Sequence, residues 1–248
     1  MKKILIAGGT GLIGAHLSQL LKNRGYQVAH LSRRANPNAE FPTYAWQPET
    51  GDFDKKAFDE AHAIINLAGA GIADKLWSEK RKREIIESRA LGNHLIANYL
   101  RSNKHSIQTY ISASAIGFYG DRGNELMTEN SPAGMGFLAE STTAWENAIA
   151  EVAATNIRTV ALRIGVVLTP RRRGFAKNVA PVYGQNGNNI FCKAPPSGVK
   201  TTPIRRAIVR TFVAATSAMA FSQAMVLSAK YPVPAGEFSD INSLPLSP

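Results

Sequence analysis

The chain has 248 residues, 44% of them hydrophobic and 19% charged, which is enough apolar content for a sizeable α/β core and too much for a disordered chain. Its longest apolar runs fall far short of the roughly eighteen residues that a membrane span needs, so no transmembrane helix is expected. A single cysteine, Cys192, makes neither an internal disulfide nor a cysteine-based metal cluster, and it fits a reducing compartment, hence the cytoplasm.

In chain order, short apolar runs alternate with longer helical patterns over the first 170 residues, as in a doubly wound parallel sheet of an α/β protein. Met1-Lys2-Lys3 followed by Ile4 to Ala7 imitates a signal peptide, but Gly8, Gly9, Gly11 and Gly14 interrupt it and no small-residue cleavage site follows. Strands are expected at Lys3 to Ala7, Gln27 to Leu31, Thr43 to Trp46, Ala63 to Leu67, Thr109 to Ser112 and Arg158 to Val167. Helices are expected from Gly11 to Arg24, with Gly25 closing the end, from Ser78 as N-cap to Leu100, and from Phe137 to Thr155. After Pro170 the pattern weakens, and only Ile204 to Leu227 reads as helical.

The net charge is +11 and unevenly placed. From Val152 to Gly236 there is no Asp or Glu but there are twelve Lys and Arg, where average usage would supply about ten acids. Nucleic-acid binding through Arg171 to Arg173 and Arg205-Arg206 has this charge in its favour but neither aromatic interleaving nor a known module, so nucleic acid is not the expected partner. A small-molecule substrate is, and the sequence does not fix the oligomeric state.

The first strand runs directly into Gly8-Gly9-Thr10-Gly11-Leu12-Ile13-Gly14, which opens a helix. That context fits a dinucleotide-binding loop: a tight turn without Cβ, close approach of a pyrophosphate to the backbone, and a third glycine that lets helix pack on strand. The helix N-terminus offers free N–H groups and a partial positive charge to the anion. At the end of the second strand, where a carboxylate would hydrogen-bond the ribose of NAD, stands Ser32-Arg33-Arg34. A guanidinium there grips a 2′-phosphate, so the expected cofactor is NADP(H).

The glycine loop, Asn66-Leu67-Ala68-Gly69 and Ser112-Ala113-Ser114-Ala115-Ile116-Gly117-Phe118-Tyr119-Gly120 together resemble the extended short-chain dehydrogenase/reductases. The closer resemblance is to an atypical, NAD-dependent epimerase/dehydratase-like branch called epimerase family proteins, some of which carry an old label of cell-division inhibitor. Ile72-Ala73-Asp74-Lys75-Leu76-Trp77, Ser88-Arg89 and Arg163-Ile164-Gly165-Val166-Val167-Leu168 resemble that branch's own signatures. The resemblance implies a Rossmann fold in which Leu67, Ala68 and Gly69 close over the cofactor, Glu84 and Arg89 face it, and Val167 lies near its nicotinamide end. For Glu84 and Arg89, an exposed face of a charge-rich helix is the competing reading.

Enzymes of that superfamily use Ser, Tyr and Lys for proton transfer at the substrate hydroxyl. The serine is present as Ser114, the one candidate catalytic residue. The expected Tyr-x-x-x-Lys is not, since Phe137 stands for the tyrosine and Ser141 for the lysine. Tyr119, Asp121 and Glu140 are substitute acids with plain structural alternatives: packing, capping the turn before Gly123, and answering the helix dipole. His16, His62, His94 and His105 lack metal-ligand spacing. Two functional readings follow: an NADP(H)-dependent oxidoreductase or sugar-nucleotide-epimerase-like enzyme of unknown substrate, and a non-catalytic NADP(H)-binding regulator.

Residues 1–170 are therefore expected to form the NADP-binding domain. Residues 171–248 are expected to be a poorly defined basic segment in place of the substrate lobe, incomplete or irregular in its packing. The abrupt change at Arg171, with faint resemblance returning only at Ser228 to Val233 and Gly236 to Phe238, is what a shifted and partly restored reading frame would produce. An evolved basic lobe is the competing explanation.

Overall fold

The computed structural model of the chain describes residues 1–72, 74–165, 167 and the backbone of 207–212. Arg171 to Arg173, Cys192, Arg205-Arg206 and the stretches 228–233 and 236–238 lie outside the described residues.

The elements run β1 (Lys3–Ala7), α1 (Leu12–Asn23), β2 (Gln27–Ser32), β3 (Thr43–Gln47), β4 (Asp52–Phe53), β5 (Ala61–Asn66), α2 (Glu79–Ser102), β6 (Thr109–Ala115), α3 (Phe137–Ala153), β7 (Arg158–Ile164) and β8 (Ala207–Phe212). Short 3-10 turns occupy Lys55–Phe58 and Ile116–Tyr119. The strands form one eight-stranded sheet of order β4-β3-β2-β1-β5-β6-β7-β8. All neighbours are parallel except β4, which pairs antiparallel to β3 through Trp46 and Phe53.

Parallel strands covered on both faces read as continuous apolar runs, and β1 is buried from Ile4 to Ala7. Alternate residues serve two cores. Leu5, Ile64 and Tyr110 face α2 and α3, where Ile96, Leu100, Trp145 and Ile149 pack. Ile4, Ile6, Ile65 and Ile111 face the other way, onto Leu17 and Leu21 of α1. This two-sided arrangement is the doubly wound α/β fold. The helices begin where local chemistry allows it: the Ser78 side chain accepts from Arg81 N at the start of α2, satisfying one of the amides a helix start leaves free.

The helix expected over Ile204 to Leu227 requires correction at its N-terminal part. Ala207–Phe212 is a strand, in parallel register with β7 from Thr159↔Ala207 to Ile164↔Phe212. Ile208, Val209, Thr211 and Phe212 suit a pleated strand, and β7 offers an edge for them to extend. The remainder of that predicted helix lies outside the described residues.

The sheet order reverses between β1 and β5, which lie side by side while their onward connections run in opposite directions. Ligands of open α/β sheets bind outside the carboxyl ends of the strands at such a point. Gly8–Gly14 and Leu67–Gly69 leave the sheet there.

Candidate functional site

The β1–α1 loop is held in backbone contact with its surroundings. Gly8 has φ +78°, and a Cβ on it would stand 3.0 Å from the Leu67 carbonyl carbon, so the glycine loop and the β5 loop lie against each other. A Cβ at Gly14 would collide with the Gly8 carbonyl oxygen and come 2.7 Å from Gly9 Cα. Gly11 N donates to Gly8 O at 3.0 Å, and the first intrahelical bond is made by Ala15 N to Gly11 O at 2.9 Å. Gly11 provides no side-chain cap to α1, while Thr10, Gly11 and Leu12 are exposed and Ile13 half-buried. An uncapped helix start facing outward beside a side-chain-free loop suits a phosphate group in shape and polarity.

Beneath the loop lies a residue that sequence reasoning passed over. His30 of β2 is buried, and a Cβ at Gly9 would clash with its ring. Ser18 Oγ donates to Gly14 O at 2.7 Å and lies 2.7 Å from His30 Nε2. With the single serine proton spent on Gly14, His30 Nε2 is the donor. Burial lowers the His30 pKa. An imidazole inside the apolar run from Val28 to Leu31 was the available signal, because a buried polar group needs a partner.

Ser32 ends β2 half-buried, and Arg33 and Arg34 are exposed beyond it. Among the described residues neither guanidinium has a hydrogen bond or ion pair, so no described side chain competes for them.

Leu67, Ala68 and Gly69 follow β5 at the neighbouring strand end. The Asn66 side chain shapes their turn, accepting from Ala68 N at 3.1 Å and donating to Tyr110 Oη at 3.0 Å. Tyr110 donates in turn to Asn93 Oδ1 on α2, and burial raises its pKa. The following loop is fastened to α2 by arginines: Arg89 donates to Ala70 O at 3.0 Å and Arg81 to Gly71 O. Arg89 also lies 5.0 Å above the Trp145 ring and against Gly69. Burial, and then the charge of Arg81, pull its pKa down to about 10. Glu84 is exposed and paired with Arg81 Nη1 at 2.8 Å, which lowers its pKa. The structure therefore brings Arg89 to the loop that follows β5 and keeps Glu84 on the outer face of α2. Val167 is half-buried beyond the end of β7.

Ser114 sits near the carboxyl end of β6, and the two positions of the missing pair lie on α3. Phe137 packs edge-on against Trp77 with ring centroids 4.9 Å apart. Ser141 is buried, and its hydroxyl donates to Leu138 O at 3.0 Å. Neither is a proton-transfer group. Of the substitute acids, Asp121 caps its turn through Gly123 N at 3.0 Å, and Glu140 lies exposed in the first turn of α3. Tyr119 is buried, and its hydroxyl donates to Thr128 O at 2.9 Å.

The partner of Ser114 is Glu146, which the sequence reading did not single out. Ser114 Oγ donates to Glu146 Oε1 at 2.6 Å. Arg163 holds the same carboxylate in a two-pronged grip, Nε to Oε1 and Nη2 to Oε2, both at 2.8 Å. The guanidinium lies 3.5 Å over the Phe118 ring and donates to Tyr119 Oη at 2.9 Å. Burial works against the charge on Arg163, but Glu146 and Tyr119 more than offset it, and its pKa is raised. The signal was an arginine within the apolar strand Arg158–Ile164, since a charge is buried only with a partner. Its distance from Glu146 in sequence hid that partner. Among the described residues no group of three or more His, Cys, Asp or Glu is placed to hold a metal, and no helix is long and apolar enough to cross a membrane.

Residues 4–188 match the model of the NAD dependent epimerase/dehydratase family. The chain belongs to that family. The match runs past Pro170, where the sequence pattern weakens. The epimerase family protein Mb2239 of Mycobacterium bovis is 34% identical over 180 residues, covering 73% of this chain and 58% of that protein. Among solved structures, human epimerase family protein SDR39U1 with NADPH superposes with a TM-score of 0.59 at 26% identity, over 71% of this chain and 57% of the human one. A nucleoside-diphosphate sugar epimerase from Corynebacterium glutamicum gives 0.58 at 34% identity, over 68% of this chain and 34% of its own. The chain thus spans less than six-tenths of the length of these relatives.

Proposed function

We propose that the chain binds NADP(H) and works as an oxidoreductase or sugar-nucleotide-epimerase-like protein on a small hydroxylated or carbonyl substrate. The observation that carries the cofactor choice is the end of β2, where Ser32 and two arginines without a partner among the described residues occupy the place of a carboxylate. The NADPH bound to the human relative supports the same choice. Residues 1–170 form the cofactor-binding unit in this reading.

The amides of Leu12, Ile13 and Gly14 face the pyrophosphate, with Gly8, Thr10 and Gly11 giving it room at the backbone. Arg33, with Ser32, receives the 2′-phosphate. Leu67, Ala68 and Gly69 line the opposite wall, Arg89 stands behind it on α2 while Glu84 holds Arg81 from the outer face of that helix, and Val167 closes the nicotinamide end. When bound, the nicotinamide supplies hydride transfer. Ser114 orients the group that reacts. Proton transfer by the usual tyrosine-lysine pair has no counterpart here, because Phe137 packs on Trp77 and Ser141 is bonded to the Leu138 carbonyl. That same packing favours the second reading, a regulator that binds NADP(H) without turning it over.

The two readings separate in one assay. NADPH oxidation with a panel of aldehydes, ketones and sugar nucleotides, abolished by Ser114→Ala, supports the enzyme. Tight NADPH binding with no turnover of any member supports the regulator, and no binding of either nicotinamide dinucleotide sinks both.

A further inference from the structure

The direction of the Ser114–Glu146 hydrogen bond follows from the groups around it. Arg163 carries donors alone, so both Glu146 oxygens accept from it. Ser114 lies 2.6 Å from Glu146 Oε1, and a carboxylate that accepts two guanidinium bonds has no proton to give, so the serine is the donor. On the far side, Tyr119 accepts from Arg163 and spends its proton on Thr128 O. The Ser114 proton is thereby assigned to Glu146. Ser114 is left with lone pairs and no free proton. In this structure Ser114 is 2% exposed, closed to ligand and water alike until its neighbours shift, and the hydroxyl that a ligand then meets is an acceptor in want of a donor.

We propose that Glu146 is a positioning residue that fixes Ser114 as a hydrogen-bond acceptor, so that the ligand group seated against Ser114 is a hydroxyl and not a carbonyl oxygen. This deepens the reading above and rests on its placing of Ser114 at the substrate. The site then recognises the alcohol form of the substrate pair, and the ketone form meets two sets of lone pairs opposed. Arg163 serves by denying Glu146 any other orientation, with Phe118 and Tyr119 packed on the guanidinium.

The test uses the full chain and a matched pair of probes, cyclohexanol and cyclohexanone, titrated separately by ligand-observed NMR with and without saturating NADP+. The wild-type chain should bind the alcohol about tenfold more tightly than the ketone, the worth of one hydrogen bond made against one opposed. Ser114→Ala leaves the Glu146–Arg163 pair intact and should bring the ratio to about one. The double variant Glu146→Leu with Arg163→Met removes the carboxylate without stranding a buried charge, releases the serine proton, and should cancel or reverse the preference. A merely structural role for Glu146 would weaken both probes alike and leave the ratio unchanged. Equal binding of the two probes by the wild-type chain, binding of neither, or a preference that survives both variants overturns the proposal. The NADP+ titration on the same samples reports separately on the cofactor.

Discussion

Arg163 and Glu146 form a two-pronged ion pair with side chains 4% and 14% exposed, linking the interior of β7 to the middle of α3. Removing one partner of such a pair strands the other charge in a poorly hydrated place. Arg163→Met should therefore cost about 3–5 kcal/mol of folding stability, read by urea denaturation. Adding Glu146→Leu should recover most of the loss, since two apolar residues of similar size can replace a buried pair at little cost. A double variant no more stable than the single would mean that the pair contributes through packing alone.

Gly14 touches backbone on the side where a Cβ would project, and backbone cannot swing aside as a flexible side chain does. Gly14→Ala should displace the start of α1 from the Gly8–Gly9 turn, costing about 1–3 kcal/mol and weakening NADP+ binding more than tenfold. Calorimetric titration and thermal denaturation check the two effects. Unaltered binding would show that the loop does not hold the pyrophosphate.

His30 supplies a pH dependence with a definite sign. Burial lowers its folded pKa below the unfolded value of about 6.5, so the unfolded chain takes up a proton before the folded one does. Stability is unaffected by this residue above that pH and falls as pH drops toward the folded pKa. His62 is shifted the same way, by burial first and then by Lys2, so the decisive quantity is a difference between proteins. His30→Asn should flatten the decline below pH 6.5 in denaturation midpoints taken from pH 8 to pH 5, although its stability at pH 8 is lower. Parallel curves for the two proteins would contradict the assignment.

The start of α2 rests on one side chain. Ser78 Oγ accepts from Arg81 N at 3.2 Å, and Ser78→Ala should cost about 1 kcal/mol, seen as a lower urea midpoint with an unchanged slope. Because Arg81 and Arg89 fasten the 70–71 loop from this helix, the same variant should loosen amide protection at Ala70 in hydrogen exchange.

The parallel sheet was readable because its strands are buried on both faces and announce themselves as apolar runs, and because the glycine loop joins β1 to α1 with fixed spacing. Edges were harder. Asp52–Phe53 is too short to show a period, and it is a strand only because Phe53 meets Trp46 across the turn. Ala207–Phe212 carries a pattern compatible with a helix, and the free edge of β7 decided for a strand. The glycine loop and the Leu67–Gly69 turn could be placed from sequence because each follows a strand end, whereas Glu84 and Arg89 lie well inside α2. The Ser114 network was not legible, since it joins three elements distant in sequence, and only Arg163 in an apolar strand hinted that a carboxylate had to lie nearby.

Binding of NADP(H) through the glycine loop and Arg33 is tested by calorimetric titration of the full chain with NADP+ and NAD+. NADP+ should bind at least about tenfold more tightly than NAD+, and Arg33→Asp should weaken NADP+ by about 1–3 kcal/mol while leaving NAD+ little changed. Equal affinity of the wild-type chain for the two dinucleotides, or tighter binding of NAD+, would contradict it.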